Sequence, residues 1–583
     1  LIGAGIAVSA QAQAPPTPRT PTREEVERPR PPPGEQAPAR LVVEGGLERS
    51  PCPLADPAYA GIEFTLSDVV FEHLKGLDPA ELALAWKPYA GTRIKLAAIC
   101  EIRDSAAALL RDAGYIAAIE IPEQRIAGGT IRFDVLMAKI VAVRVRGDAG
   151  SSEPIIARYL AKLARQEVFN RREAERYLLL AGDLPGFDVR LTLKSAGGAR
   201  GEVVGEVTVA RRPGQIDLNV QDYGSHELGR WGVLARGQAF GLTGLGDRTS
   251  LALFTTSDFS EQQNLQVGHE MRIGGEGLTL GGDVVLSWAK PAIGQPGIRL
   301  SAKTLLATLA ARYPFVRSQS ENLWGAAGVD LVDQRVRFNG LKLSRDKLRI
   351  AFVRLEADAT DRGSIVRAGG FSAAEPRWRI AGRLEARQGL GILGASSGCG
   401  PALARCLVPG AVPPSRLEGG PTAALLRADA YGEFRPIPII AFSLAARAQR
   451  SGNPLFAFEE YSAGNYTIGR GYDPGTLLGD SGFGVQAEFR VGSIVPRTPR
   501  SVAVQPYVFV DAAWVSNQDR LLAVAGRDRL TSVGAGVRAA IGDQARLDLA
   551  LAVPLTRSGL QTERGNPRLL VSLTTALWPW SFK

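Results

Sequence analysis

Nowhere in its 583 residues does the chain hold an uninterrupted apolar run of the roughly 18 residues that a membrane-crossing helix requires. A helical span is therefore not expected. A membrane stays possible, because a barrel strand needs only about ten residues with one apolar face. Histidine is scarce: His73, His226 and His269 are all there is. His73 reads as helical, His226 as a loop residue and His269 as part of a strand, and none has the Ser/Asp partners of a catalytic triad. Enzymatic activity is not expected. The Gly241–Gly246 string, Gly-Leu-Thr-Gly-Leu-Gly, is no dinucleotide loop either, since no helix follows it and it joins two strand-like segments. Cysteine is limited to four residues, without CxxC or HxxxH spacing, which disfavours zinc. Disulfides in an oxidising compartment are the better reading. Cys399 and Cys406 share a Gly/Pro-rich loop, and Cys52 and Cys100 flank an N-terminal module; the spacing leaves the pairing open. No metal and no cofactor are expected.

What is present is length, arginine and alternation. A chain of this size should hold at least two domains. Residues 1–14, ending Gln11-Ala12-Gln13-Ala14, read as the end of a signal peptide, with cleavage after Ala14. Residues 15–59 begin as a Pro-rich, polar linker, in which Arg23-Glu-Glu-Val-Glu-Arg is the one helical candidate, barely two turns long. The net charge of +10 would suit nucleic acid or anionic lipid. Its arginines, however, alternate with apolar residues inside strands, which points to a polar interior surface and to no nucleic-acid partner.

Residues 60–138 mix strand and helix: Asp78-Pro79 opens a helix, and a second runs from Ile102 to Ala113 with Gly114 as its stop. Strands follow at Tyr115–Ile121 and Thr130–Leu136. The pattern recurs over 139–211, with helices at Pro154–Arg165 and Arg171–Leu180 and strands at Phe187–Leu193 and Val203–Val209. Two consecutive α+β units result. From residue 212 to 583 the helical period gives way to dyad alternation. In Phe483–Val491 the apolar Phe483, Val485, Ala487, Phe489 and Val491 alternate with Gln486, Glu488 and Arg490. About sixteen such segments, longer than soluble strands, read as a closed antiparallel membrane β-barrel. Long connections fall after odd-numbered strands and short ones after even-numbered strands, as on the two rims of an outer-membrane barrel. The long stretch Ala359–Pro376 breaks that rule, which puts the strand boundaries there in question.

Certain short motifs carry a resemblance over nearly the whole chain after residue 60. Gly114-Tyr115, then Pro122 and Gln124 ahead of Gly128-Gly129, resemble the first polypeptide-transport-associated (POTRA) domain of two-partner-secretion transporters, the translocators of haemolysin- and filamentous-haemagglutinin-type exoproteins. Phe169-Asn170 and Leu184-Pro185-Gly186-Phe187 are similar to the family's second such domain. Gly469-Arg470-Gly471-Tyr472 resembles the superfamily's Arg-Gly-Tyr/Phe motif, on a loop that folds back into the barrel. Phe509-Val510-Asp511-Ala512-Ala513 resembles its Phe-x-Asp-x-Gly strand. The resemblance implies a contact between Arg470 and Asp511, with Gly469 and Ala513 departing from the usual residues. It also implies a Gram-negative outer-membrane location with the POTRA domains in the periplasm. The implied partners are an extended, unfolded exoprotein and the lipid and lipopolysaccharide of that membrane, with the transporter a monomer. An outer-membrane assembly insertase and a passive small-molecule channel are the alternatives. The insertase would carry more POTRA units, and a porin has no need of any. Some family members plug the pore with an N-terminal helix; here a very short plug or an unstructured tail is expected.

Overall fold

The computed structural model describes residues 20–27, 43–44, 52–198, 200–293, 296–519, 527–557 and 565–579. The signal-peptide reading of 1–14 and most of the Pro-rich segment lie outside the described residues.

The first α+β unit packs the helix Ala98–Asp112 on a three-stranded sheet ordered Asp68–Glu72, Thr130–Met137, Ala117–Glu120. Ile99, Ile102, Ala106 and Leu110 recur at helical spacing and are all buried. The helix starts four residues before Ile102, and the chain turns out of it at Gly114, whose φ of +95° suits glycine. Asp78 does open a helix, a 3₁₀ segment over Pro79–Ala85, by accepting a 2.9 Å bond from the Ala80 N–H. His73 is not helical: it follows the strand Asp68–Glu72 at φ +59°, and its exposed ring meets Asp134 at 2.8 Å.

The second unit sets helices Glu153–Ala164 and Arg171–Gly182 on the sheet Phe187–Ser195, Glu202–Arg211, Lys139–Gly147. Its free side is extended by Val43–Glu44, which pairs in parallel with Leu191–Thr192. So a piece of the segment read as linker is a strand. Two residues are too few to show a period, and the backbone pairing alone defines it. Cys52 and Cys100 are joined in one disulfide, Cys399 and Cys406 in the other.

Sixteen antiparallel strands among the described residues close into a barrel, the first (Gly214–Gln221) pairing with the last (Arg568–Trp578). Closure is what a chain in hydrocarbon requires, since it leaves no sheet edge with unpaired N–H and C=O groups. The outer wall carries what water would reject: Leu549 and Leu551 are exposed while Ala550 and Ala552 between and beside them are buried. Such a band of large exposed apolar side chains on alternate positions marks a lipid-facing surface.

On one rim the connections are mostly short, among them 274–277, 318–320, 438–439 and 542–544. On the other they include 390–423 and 452–480. The stretch 361–377 is a genuine long connection on the short-turn rim, not a misplaced boundary. It holds the helix Arg362–Ile365, capped where Asp361 accepts from the Ser364 N–H at 2.9 Å. The opposite rim has its own exception. Strands Glu321–Phe338 and Leu341–Thr360 join through Asn339-Gly340 alone, both at positive φ, as a two-residue primed hairpin demands.

The second α+β unit sits against the short-turn rim. Arg317 clasps Asp183 through two nitrogens at 2.6 and 2.7 Å, and Arg176 donates to the Pro314 carbonyl at 2.9 Å. Lys162 meets Glu276 of the 274–277 turn at 2.6 Å, a hydrogen bond that holds its ammonium above the usual lysine range. Replacing Arg317 by alanine removes the two-pronged bond and should weaken this docking by about 1.5–3 kcal/mol. Limited proteolysis near Arg212-Pro213 should then quicken while the heat-modifiable mobility of the barrel stays unchanged.

Candidate conduit site in the barrel lumen

Alternation that puts leucine and valine in lipid puts every second residue in the lumen, and there the chain spends its charge. Glu488, on the strand Ser481–Val491, receives Arg490 at 2.7 Å, Arg538 at 3.0 Å and Arg470 at 2.6 Å. Arg490 reaches across to Glu433, which also holds Arg379 and Arg435. Arg538 continues to Asp548 at 3.1 Å, where Tyr507 also donates, at 2.7 Å. The inward face of strands nine to fifteen thus carries a lattice in which guanidinium and carboxylate groups are set beside opposite charges. Buried charges are tolerable only when paired in this way.

The connection 452–480 leaves the long-loop rim and turns back inside the barrel. Its ends form a small hairpin, Tyr461–Ala463 with Leu477–Gly479, and its tip carries Gly469, Arg470, Gly471 and Tyr472. Asp511, on the strand Val502–Ser516 and fully buried, accepts from Arg470 three times: from its backbone N–H at 2.9 Å, Nε at 3.1 Å and Nη2 at 2.7 Å. The Phe509 ring lies under the guanidinium, 3.5 Å from its carbon to the ring centroid. The two glycines are required by space. Gly469 stands at φ +124° with Leu530 where a Cβ would go, and a Cβ on Gly471 would meet Ser532 and Pro554. The Tyr472 hydroxyl lies 2.9 Å from the Thr531 carbonyl and 2.8 Å from that of Thr556, whose N–H donates back to it at 3.1 Å. Ala513 is buried among Tyr461, Ile468 and Tyr472, so the methyl group in place of glycine fills the packing under the loop.

A second anchor was not foreseen. Arg416, from the connection 390–423, bonds Glu460 at 2.9 Å, Asp519 at 2.5 Å and also Asp480. Asp480 further accepts from the Leu455 and Gln518 N–H groups at 2.7 and 2.8 Å. Three connections of one rim are tied at this point. Nothing in the sequence spacing marks this arginine, because its three carboxylate partners lie on other connections.

The N-terminal helix is present and very short, Arg23–Glu27, and it lies inside the lumen. Arg23 bonds Asp330 at 2.8 Å and Glu459 at 2.6 Å, and Glu24 meets Arg447 at 2.6 Å. Asn264 donates to the Glu25 carbonyl at 3.0 Å, occupying one of the acceptors a helix end leaves open. Val26 is buried with Phe456 and Phe458 of the infolded loop and with wall residues such as Val332. Arg387 pairs with the same Asp330 and Glu459, so helix, loop and wall share one ionic cluster.

In the first α+β unit the motif residues are used by the fold. Gln124 grips the backbone of Arg132, donating to its carbonyl and accepting from its N–H at 2.8 Å each, and also donates to the Pro122 carbonyl at 3.3 Å. Tyr115 donates to the Gly76 carbonyl, and Gly114 accepts from Arg171 of the second unit at 2.7 Å. Gly114-Tyr115 therefore fixes the junction of the two units.

The family model described as haemolysin secretion/activation protein ShlB/FhaC/HecB matches residues 204–539, and that of the ShlB-type POTRA domain matches 64–137. The heme/hemopexin transporter protein HuxB of Haemophilus influenzae (strain 86-028NP) is 25% identical over 205 residues, 34% of this chain and 36% of that protein. The match thus spans about a third of the relative's length. Among solved structures, CdiB from Escherichia coli superposes with a TM-score of 0.71 at 17% identity, over 90% of this chain and 92% of that one. CdiB from Acinetobacter baumannii gives 0.62 at 14% identity, over 91% and 94%. These two likenesses establish the fold.

Replacing Arg470 by alanine would leave Asp511 buried without its cation, a loss of about 3–5 kcal/mol for such a pair. Hydrogen exchange at Gly471 and Tyr472 should rise sharply with the barrel still closed. Arg470→Lys should recover only part of the protection, because a lysine cannot grip the carboxylate with two prongs.

Proposed function

The chain belongs to the haemolysin secretion/activation protein family of ShlB, FhaC and HecB, and from that premise we propose that it exports a partner protein through its barrel across the outer membrane. The observation that carries this reading is the content of the lumen. Two segments of the chain itself, the helix Arg23–Glu27 and the loop bearing Arg470, fill a charged interior, and at Arg23, Glu24 and Arg470 they are held there by ion pairs and hydrogen bonds, beside apolar clusters at Val26 and Tyr472. Bonds of that kind can be exchanged for water or for the polar backbone of a passing extended chain. A hydrophobic plug of the same size would have no such substitute.

In this reading the α+β units are periplasmic and take up the unfolded cargo. Ala117–Glu120 lies at the edge of its sheet and offers a row of backbone groups for strand addition. Gly114, Tyr115, Pro122 and Gln124 set the shape of that region from within the fold. No nucleotide is required, since folding of the cargo outside prevents its return. Arg470 acts as a positioning residue of the conduit wall, and the chain works as a monomer. The cargo is of the haemolysin, adhesin, contact-dependent toxin or haem-scavenging kind, and a reading frame beside this one is the first candidate. The insertase alternative is less favoured, because the family model that matches residues 204–539 is that of the haemolysin secretion/activation proteins.

The test is secretion of the co-expressed candidate. At matched amounts of assembled barrel, Arg470→Ala should reduce exoprotein in the medium at least about tenfold, as expected when a buried pair is broken. Unchanged secretion after deletion of the whole transporter would refute the pairing. Removing residues 20–27 should raise ion conductance in planar bilayers, and a conductance equal to that of the full chain would refute the view that this helix blocks the lumen.

A further inference from the structure

The outer wall of the barrel is not uniformly convex. Across strands nine to twelve, Trp378, Phe434, Phe442 and Phe489 stand side by side in register and project into the lipid. Phe442 and Phe489 are in ring contact, with centroids 5.1 Å apart. Two residues farther from the short-turn rim the same strands carry Gly432 and Ala487 between Ile380, Leu444 and Val510. The next positions, Gly382, Ala430 and Ala446, are small again. The result is an apolar hollow of about 840 Å³ on the lipid-facing side, walled by aromatic rings, with Gly432 in its lining.

The hollow lies close to the rim that faces the α+β units, because Trp378 is the first residue of its strand and Phe434 stands just before the turn 438–439. That rim is positively charged next to the hollow. The connection 492–501 links two of the strands that line it and carries Arg497 and Arg500; the one carboxylate bonded to it, Glu375, accepts from Ser493 and the Ile494 N–H and is neutralised by Arg435. Arg377 directly precedes Trp378. All three arginines are exposed, and none forms an ion pair among the described residues. An apolar hollow at the depth of the acyl chains, capped by unpaired cations at the depth of the headgroups, matches one kind of molecule.

We propose that this hollow is a binding site for an anionic phospholipid of the leaflet nearest the α+β units, its acyl chain lying over Gly432 and its phosphate held by the arginines of the rim. The site is separate from the conduit and does not depend on what the barrel exports. Aromatic rings at the membrane interface and basic residues beside them are the elements from which such recognition is built.

Nothing lies within 4 Å of a Cβ added at Gly432, so a larger side chain can be introduced there without disturbing the wall. The same holds for Gly237, which pairs with the lipid-facing Leu251 on the other side of the barrel and serves as the control. The full chain would be extracted in mild detergent, offered phosphatidylglycerol or phosphatidylethanolamine, and its retained lipids counted by native mass spectrometry. Wild type and Gly237→Leu should keep phosphatidylglycerol in preference. Gly432→Leu should lose most of that retention. Arg497→Gln with Arg500→Gln should cut the preference by about fivefold for each charge removed. Retention by Gly432→Leu equal to wild type would overturn the proposal. So would a wild-type dimer that Gly432→Leu dissociates without any change in bound lipid, since the hollow would then hold a second copy of the chain.

Discussion

In hydrocarbon no backbone N–H or C=O can be left without a partner, and that single constraint organises the molecule. It closes the sheet into a barrel, closure fixes which face of each strand looks inward, and the inward face must then accommodate every polar side chain the alternation delivers. The chain resolves this by pairing charge with charge. Glu488 alone serves three arginines, and Glu433 another set that includes Arg490. A lumen built in this way is stiff in its wall, where strands fix both partners. It is exchangeable in its filling, where one partner belongs to a loop or a helix. Arg470 and Arg23 are of the second sort.

The parts of this design that a sequence can display are those with a period or a motif. Strands were legible because a two-residue alternation sustained over ten positions has few other meanings, and Glu488 and Arg490 were legible as inward residues for that reason. The contact of Arg470 with Asp511 was legible through its motif. The partners of Glu488 were not, because a lattice across strands depends on register, and register appears only in the folded pairing. The helix Arg23–Glu27 is too short to show a helical period. What holds it, Asp330 and Glu459, comes from about three hundred residues or more along the chain. Val43–Glu44 and the Arg416 clamp escaped for the same reason: both are defined by distant partners. His73, expected in a helix, stands outside any, at positive φ and bonded to Asp134 from the neighbouring strand.

The two ends of the barrel differ in how they are tied. On the rim facing the α+β units, ion pairs such as Arg317 with Asp183 join a folded domain to short turns. On the other rim, Arg416 gathers three long connections that lie outside the barrel's own sheet. The first arrangement keeps a rigid entrance aligned with the wall, and the second lets the outer mouth be rebuilt without disturbing a strand.

Val43–Glu44 changes what it means for the short helix to leave the lumen. Fifteen residues, 28–42, separate Glu27 from that strand, and a chain of this length can reach at most roughly 55 Å. A displaced helix would therefore stay joined to the second α+β unit by the chain itself and compete for its old place from within the same molecule. Reoccupation becomes an intramolecular event, independent of how many copies the membrane holds. Under the proposed export, a cargo that displaced the helix would have to keep outcompeting it for as long as the passage lasted, and the resting state would restore itself once the cargo had gone.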